Sequence, residues 1–299
     1  MRLQTNISND FVRIMSVWFF IIQKRFRMEI RMKMKFIIYI VIFSLICFIA
    51  FLFLTPLTVT NYTISDSKIP EEYNGLRLLI LSDFHGKSFG QNEDTLISKI
   101  NDCNPDIILL LGDVIDEDHD NGNLVFLLEG ISEQYSGKIY AITGNHEFDP
   151  AAPLSEMYQI YNQYGIQLLD GKMISFEGAA SSIDIRGIKY TRDKSQIEMV
   201  GANTDHYSIL LYHAPEIFTA NSYLHYDLLL SGHTHGGIIR LPFIGGVLAN
   251  DGSLFPHYDA GLFEENHAKL VVSRGLGDAV IPRFNNPPEI VCITLEHEK

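Results

Sequence analysis

From Phe36 to Leu54 the chain carries no charged side chain and no polar face, only an unbroken apolar run. At about 1.5 Å per residue, a helix of that length just crosses a hydrocarbon core of about 30 Å. A helix buried in a globular core would show a polar stripe, and this one has none. A cleaved leader would have a shorter apolar core and a small-x-small site, whereas Thr55-Pro56-Leu57-Thr58 follows here. The run predicts a transmembrane anchor over 36–56. Beyond it the pattern changes. Short apolar runs at Leu76–Ser82, Ile107–Leu111, Lys138–Ile142, Ser208–Leu211 and Asp227–Leu230 have the length and composition of buried strands. Asn92–Asn101 and Leu154–Tyr164 read as helices between the early strands. Lys172–Phe176 and Ile183–Lys189 read as hairpin strands, and Ile290–Leu295 as a late strand. Residues 58–299 contain no repeat, low-complexity tract or Pro/Gly/Ser-rich linker, so one large two-layered domain is expected there.

Each of the five buried runs ends in side chains that can bind metals. In order they are Asp83-Phe84-His85, Gly112-Asp113-Val114-Ile115-Asp116, Gly144-Asn145-His146-Glu147, Tyr212-His213 and Gly232-His233-Thr234-His235. Singly, each has an ordinary explanation: an exposed turn, a strand exit, a Gly-Asn turn, a satisfied core histidine. Five in succession at the carboxyl ends of strands do not, because that is where open α/β sheets place their active sites. The candidates are Asp83, His85, Asp113, Asn145, His213, His233 and His235. Seven ligands are too many for one tetrahedral zinc but enough for two ions sharing a bridge. Mixed imidazole and carboxylate suits manganese, iron or zinc better than calcium or magnesium. Two such ions about 3.5–4 Å apart can clamp both oxygens of an in-line displacement at phosphorus.

The order D-x-H, G-D-x-x-D, G-N-H-E, H, G-H-x-H resembles that of the calcineurin-like metallophosphoesterases, over about residues 58–299. Ser231–Gly237 with Arg240-Leu241-Pro242-Phe243, Ser273–Gly277 and Arg283–Ile290 are similar to the membrane-anchored, YkuE- and YaeI-like bacterial branch. The resemblance implies an αββα four-layer sandwich of two mixed sheets flanked by helices, preceded by one transmembrane helix. It implies that Asp83, His85 and His235 hold one divalent ion, that Asn145, His213 and His233 hold the other, and that Asp113 bridges them. It further implies a bridging hydroxide as nucleophile, His146 as general acid and Asp116 as the residue that orients its ring. In the protein Ser/Thr phosphatases of this superfamily the second motif continues with Arg-Gly. Here Asp116 is followed by Glu117-Asp118, two acids that would repel a phosphomonoester dianion.

Charge sets the orientation. Eight basic residues against two acidic ones before residue 36 leave +6 there, so the remainder carries −19 of a net −13. Positive residues stay cytoplasmic, which makes 1–35 a basic cytoplasmic segment and puts the domain on the extracytoplasmic side of the cell membrane, single-pass. Met34-Lys35-Phe36 reads as an ordinary start for an anchored protein, so an overextended reading frame is expected before it. Val17–Ile22 is too short to span and is expected at the interface. A domain this acidic is a poor partner for nucleic acid. Cys47, Cys103 and Cys292 do not make a disulfide framework.

The reading that follows is a membrane-anchored two-metal hydrolase of a phosphodiester or pyrophosphate, with a lipid or envelope precursor as substrate class. The alternatives are a nucleotide or cyclic-nucleotide phosphodiesterase, and a non-catalytic metal-containing interaction module. The apolar stretch after the last metal motif, Ile238–Phe263, is expected to bring Leu241–Phe243 to the rim of the cleft.

Overall fold

The computed structural model describes residues 4–116, 121–179, 181–193, 197, 205–220, 225–249, 252–265, 268–278 and 281–298. Contacts divide the chain into two units, 1–52 and 53–299. The first is one continuous helix, α1 (Gln4–Leu52), so Val17–Ile22 and the apolar run from Phe36 belong to the same element. Met15–Leu52 is long and apolar enough to cross a membrane, and it is the one such helix among the described residues.

The second unit opens with β1 (Thr58–Asp66), β2 (Arg77–Leu81), α2 (Asp94–Cys103), β3 (Ile107–Leu111), α3 (Gly122–Gln134), β4 (Lys138–Ile142), α4 (Leu154–Gln163) and β5 (Gln167–Leu168). It continues with β6 (Lys172–Glu177), β7 (Ser182–Gly187), β8 (Tyr207–Leu211), α5 (Ile217–Ala220) and β9 (Leu228–Ser231). Then follow β10 (Ile239–Leu241), β11 (Gly245–Leu248), β12 (Gly261–Glu265), β13 (Ala268–Val272) and β14 (Glu289–His297). Two six-stranded sheets result, in the orders β1-β14-β2-β3-β4-β5 and β12-β13-β9-β8-β7-β6. Both are mixed: β2, β3 and β4 run parallel while β14 pairs antiparallel with β2. β7, β8, β9 and β13 run parallel between antiparallel edges β6 and β12.

The inner strands β2, β3, β8 and β9 are largely apolar because both faces are covered. Side chains alternate, so Leu78 and Ile80 of β2 meet Ile185, Ile209 and Leu228 of the other sheet. Leu79 and Leu81 point the other way, onto Leu96 and Ile100 of α2 and Leu124 and Leu128 of α3. The outer face of the second sheet is covered by Ile217, Phe218 and Tyr258. The two mixed sheets and the first helical layer match the expected sandwich. The fourth layer is thin, a single four-residue helix and loops among the described residues.

Strands β3 and β4 coincide with the runs read from the sequence. Helix α2 starts two residues later than expected, because Asn92 and Glu93 take left-handed backbone angles and the buried Glu93 carboxylate accepts the Phe89 N–H at 2.9 Å. β1 and α3 are absent from the expected elements, although the buried Leu124, Leu127, Leu128 and Ile131 fall at helical spacing.

Candidate metal centre

The exits of β2, β3 and β4 from one sheet and of β8 and β9 from the other meet at one edge of the sandwich. Asp83, His85, Asp113, His233 and His235 all have left-handed backbone, with φ between 48 and 71°. Such strain at non-glycine residues is concentrated at functional sites. Glycines let the loops approach: a Cβ at Gly112 would lie 2.4 Å from Gly144 N and 2.9 Å from His213 Nδ1.

Three groups of side chains place potential ligand atoms close together: Asp83 with His85 and His235, Asp113 with His213 and His233, and His85 with Asp113 and His146. Asp83 Oδ1 lies 3.6 Å from His235 Nε2 and 3.9 Å from His213 Nε2. Asp113 Oδ2 lies 3.0 Å from His213 Nε2 and 4.0 Å from His85 Nε2, between the other two groups. Asn145 sits at the same edge and lines the adjoining cavity.

Whether these residues suit metal ions can be read from their unused atoms. His85 Nε2, His213 Nε2, His233 Nδ1, His235 Nε2 and Asn145 Oδ1 are buried without a partner in hydrogen-bond geometry among the described residues. Leaving a buried polar atom unpaired typically costs about 1–3 kcal/mol, and here five such atoms converge on two carboxylates. His213 Nδ1 donates to Leu111 O at 2.7 Å, which fixes the ring with Nε2 facing the site and Asp113. Ring nitrogens and a carboxamide oxygen aimed inward at two carboxylates are the donor set that a metal centre requires.

Electrostatics agrees. Burial works against charge on Asp83 and Asp113, but the surrounding histidines hold both carboxyls below the usual carboxylate range. Burial would lower His213, yet the Asp113 and Asp83 carboxylates push it up to about 10. Burial pulls His235 down to about 3, with the Arg283 cation acting in the same direction against Asp83. Negative charge is thus concentrated where cations would bind.

His146 stands at the edge of the cluster, its ring edge-on to His85 with centroids 4.6 Å apart, and its backbone N–H donates to Asp113 Oδ1 at 2.8 Å. Asp116 was expected behind the His146 ring. Its Oδ2 lies 3.5 Å from His85 Nδ1, so the carboxylate also orients a candidate ligand. Glu117 and Asp118, the acids that follow it, lie outside the described residues.

Several contributors had no assigned role in the sequence. The buried Glu147 carboxylate accepts backbone N–H groups from Asp113, Val114, Ile115 and Gly144 at 2.7–3.3 Å, tying the second and third motifs together. Glu147→Gln replaces one acceptor oxygen by an NH₂ that faces donors. The expected result is a loss of about 1–3 kcal/mol in unfolding free energy with weaker metal uptake, read by chemical unfolding and metal titration. Unchanged values for both would remove Glu147 from this role. Asn286 Nδ2 and Arg283 Nη1 donate to the His235 carbonyl at 2.7 and 3.3 Å, fixing that left-handed residue from a segment far along the chain. Beside Asn145 opens a cavity of about 680 Å³ walled by Phe148, Lys189, Tyr190 and Arg192. The Tyr190 ring lies 5.8 Å from His213 and 6.1 Å from His233, so the cavity leads directly off the cluster.

Residues 76–237, which carry all five motifs, match the model of the calcineurin-like phosphoesterase family. A Bacillus subtilis metallophosphoesterase, YkuE, is 31% identical over 252 residues, covering 79% of this chain and 85% of that protein. A Campylobacter jejuni metallophosphoesterase, Cj0846, is 33% identical over 242 residues, covering 78% of this chain and 63% of its own length. A Danio rerio transmembrane protein with a metallophosphoesterase domain is 29% identical over 260 residues, covering 81% of this chain and 58% of that protein. With its five motifs gathered at one edge of two mixed sheets, the chain belongs to the calcineurin-like phosphoesterases, a family of metal-dependent hydrolases.

Proposed function

We propose that the chain is a membrane-anchored, two-metal hydrolase of phosphodiester or pyrophosphate bonds, acting on the extracytoplasmic side of the membrane. The observation that carries this reading is the convergence of four buried histidine nitrogens and the Asn145 Oδ1 on Asp83 and Asp113. In it, Asp83, His85 and His235 would hold one divalent ion, Asn145, His213 and His233 would hold a second, and the Asp113 carboxylate would serve both. When bound, such ions supply Lewis-acid stabilisation of charge on the phosphoryl oxygens and activate water. The chain's own residues do the rest. His146 holds the proton that leaves with the departing alkoxide, Asp116 and the Leu111 carbonyl fix the rings of His85 and His213, and Glu147 keeps the loops in register. Phe148, Tyr190, Lys189 and Arg192 receive the part of the substrate beyond the scissile bond.

The two cations of that cavity favour a substrate bearing negative charge beyond the scissile bond, as a pyrophosphate does. Its two aromatic rings favour the second reading, a nucleotide phosphodiesterase. A non-catalytic module would need no proton donor at the edge of the cluster, where His146 stands. Purified protein with added manganese is expected to hydrolyse bis-p-nitrophenyl phosphate, and to lose that activity on chelation and regain it on re-addition of metal. Absence of turnover with both ions bound would leave only the non-catalytic reading.

A further inference from the structure

We propose that the tip of the β10–β11 hairpin, together with the adjoining segment at Leu254 and Phe255, inserts into the lipid bilayer and seats the mouth of the metal cleft at the headgroup layer. Leu241, Pro242, Phe243 and Ile244 follow one another at the tip without a charge between them. Phe243 is fully exposed at 108% and Ile244 at 61%. Leu254 and Phe255, 67% and 62% exposed, flank the same hairpin along β11 toward its foot, where Leu248 bridges to Leu254 and Phe255 N donates to Val247 O at 3.0 Å. Single exposed apolar residues need no explanation, but four in succession at a hairpin tip, with two more along the same hairpin, mark a contact surface.

The patch is held out on a rigid base. The Arg240 guanidinium donates to Asp259 at 2.8 Å and to Gly236 O at 2.6 Å, and Asp259 also accepts the Gly246 N–H. Phe243 and Phe255 take left-handed backbone, with φ of 68 and 54°, which bulky residues adopt only under constraint. The hairpin therefore displays its aromatic side chains.

The occupant is a bilayer because of where the chain enters the domain. Phe53 follows directly on α1, whose Met15–Leu52 stretch is long and apolar enough to cross a membrane. Its ring packs edge-on against Phe284 with centroids 5.1 Å apart. Phe284 in turn exchanges backbone hydrogen bonds with β10, donating to Ile238 O at 3.2 Å and accepting from Arg240 N at 3.0 Å. The first residue after the apolar helix thus sits at the foot of the hairpin. β10 is three residues long, a rise of about 10 Å, so the tip stands about that far from the Phe53 end of the domain. His233 and His235 precede the same strand by only a few residues, so docking of the tip brings the cleft to the lipid surface. That consequence for the substrate, an amphiphile whose phosphate lies in the headgroup layer, rests on the phosphoesterase reading above. The docking itself does not.

The test uses the full chain in phosphatidylcholine–phosphatidylglycerol vesicles. Cys47 is replaced by Ser, and a nitrobenzoxadiazole probe is attached at Phe243→Cys or, as control, at Glu133→Cys. Glu133 is an exposed residue near the carboxyl end of α3, the opposite edge of the sandwich from the ligand loops. Cys103 and Cys292 are buried and do not compete for the probe. The Phe243 probe is expected to shift to the blue and to be quenched by nitroxide-labelled lipid, while the Glu133 probe does neither. A water-like, unquenched Phe243 probe overturns the docking, as does protection of that probe by a second copy of the chain in detergent without lipid. Either result leaves hydrolysis of bis-p-nitrophenyl phosphate untouched, so failure of the docking and failure of the proposed chemistry are told apart.

Discussion

Asp113→Asn is expected to yield a folded protein that has lost most of its bound metal and its activity. Asp113 is buried, with Oδ2 3.0 Å from His213 Nε2 and 4.0 Å from His85 Nε2, so its charge serves both halves of the ligand set. Asparagine retains the oxygen that accepts the His146 N–H, which keeps the loop in place and confines the damage to the missing charge. Removing an outer contact to a metal ligand typically costs about 10–100-fold in metal affinity or activity. Loss of the shared carboxylate is expected to exceed that. Metal content by mass spectrometry, circular dichroism and turnover on one preparation give the answer. A folded variant with full metal content and full activity would sink the assignment of Asp113.

His146→Ala separates metal binding from proton transfer. The ring stands edge-on to His85, but His146 is not needed to complete either trio of proposed ligands. Both ions should therefore remain. Turnover of esters with poor leaving groups should fall by about 10²–10⁴-fold, the usual contribution of a positioned general acid. p-Nitrophenolate needs little protonation as it departs, so the loss should shrink with that leaving group. Equal losses on both kinds of ester would mean that His146 contributes charge or position and does not donate the proton.

What the sequence shows of this site is what is local. A strand exit followed within a few residues by Asp-x-His or Gly-His-x-His is contiguous, and the runs at Ile107–Leu111 and Lys138–Ile142 end where β3 and β4 end. Contacts between distant segments leave no such trace. Arg283 and Asn286 lie within a motif visible in the chain, yet their hold on the His235 carbonyl depends on how the segment before β14 folds back over the loop after β9. Tyr190, Lys189 and Arg192 carry no motif, and only the position of the loop after β7 brings them to the cavity beside Asn145. Asp116 adds a contact that spacing alone does not give, since its carboxylate, three residues beyond Asp113, reaches the His85 ring from the neighbouring strand. The late start of α2 is of the same kind, decided by the Glu93 carboxylate turning inward to cap Phe89 N–H.

Anomalous scattering from manganese-soaked crystals of the protein decides whether these clusters form one two-metal centre. Two peaks are expected about 3.5–4 Å apart, flanking the Asp113 carboxylate, with Asp83, His85 and His235 around one and Asn145, His213 and His233 around the other. A single peak at full occupancy, or manganese bound away from Asp113, would contradict it.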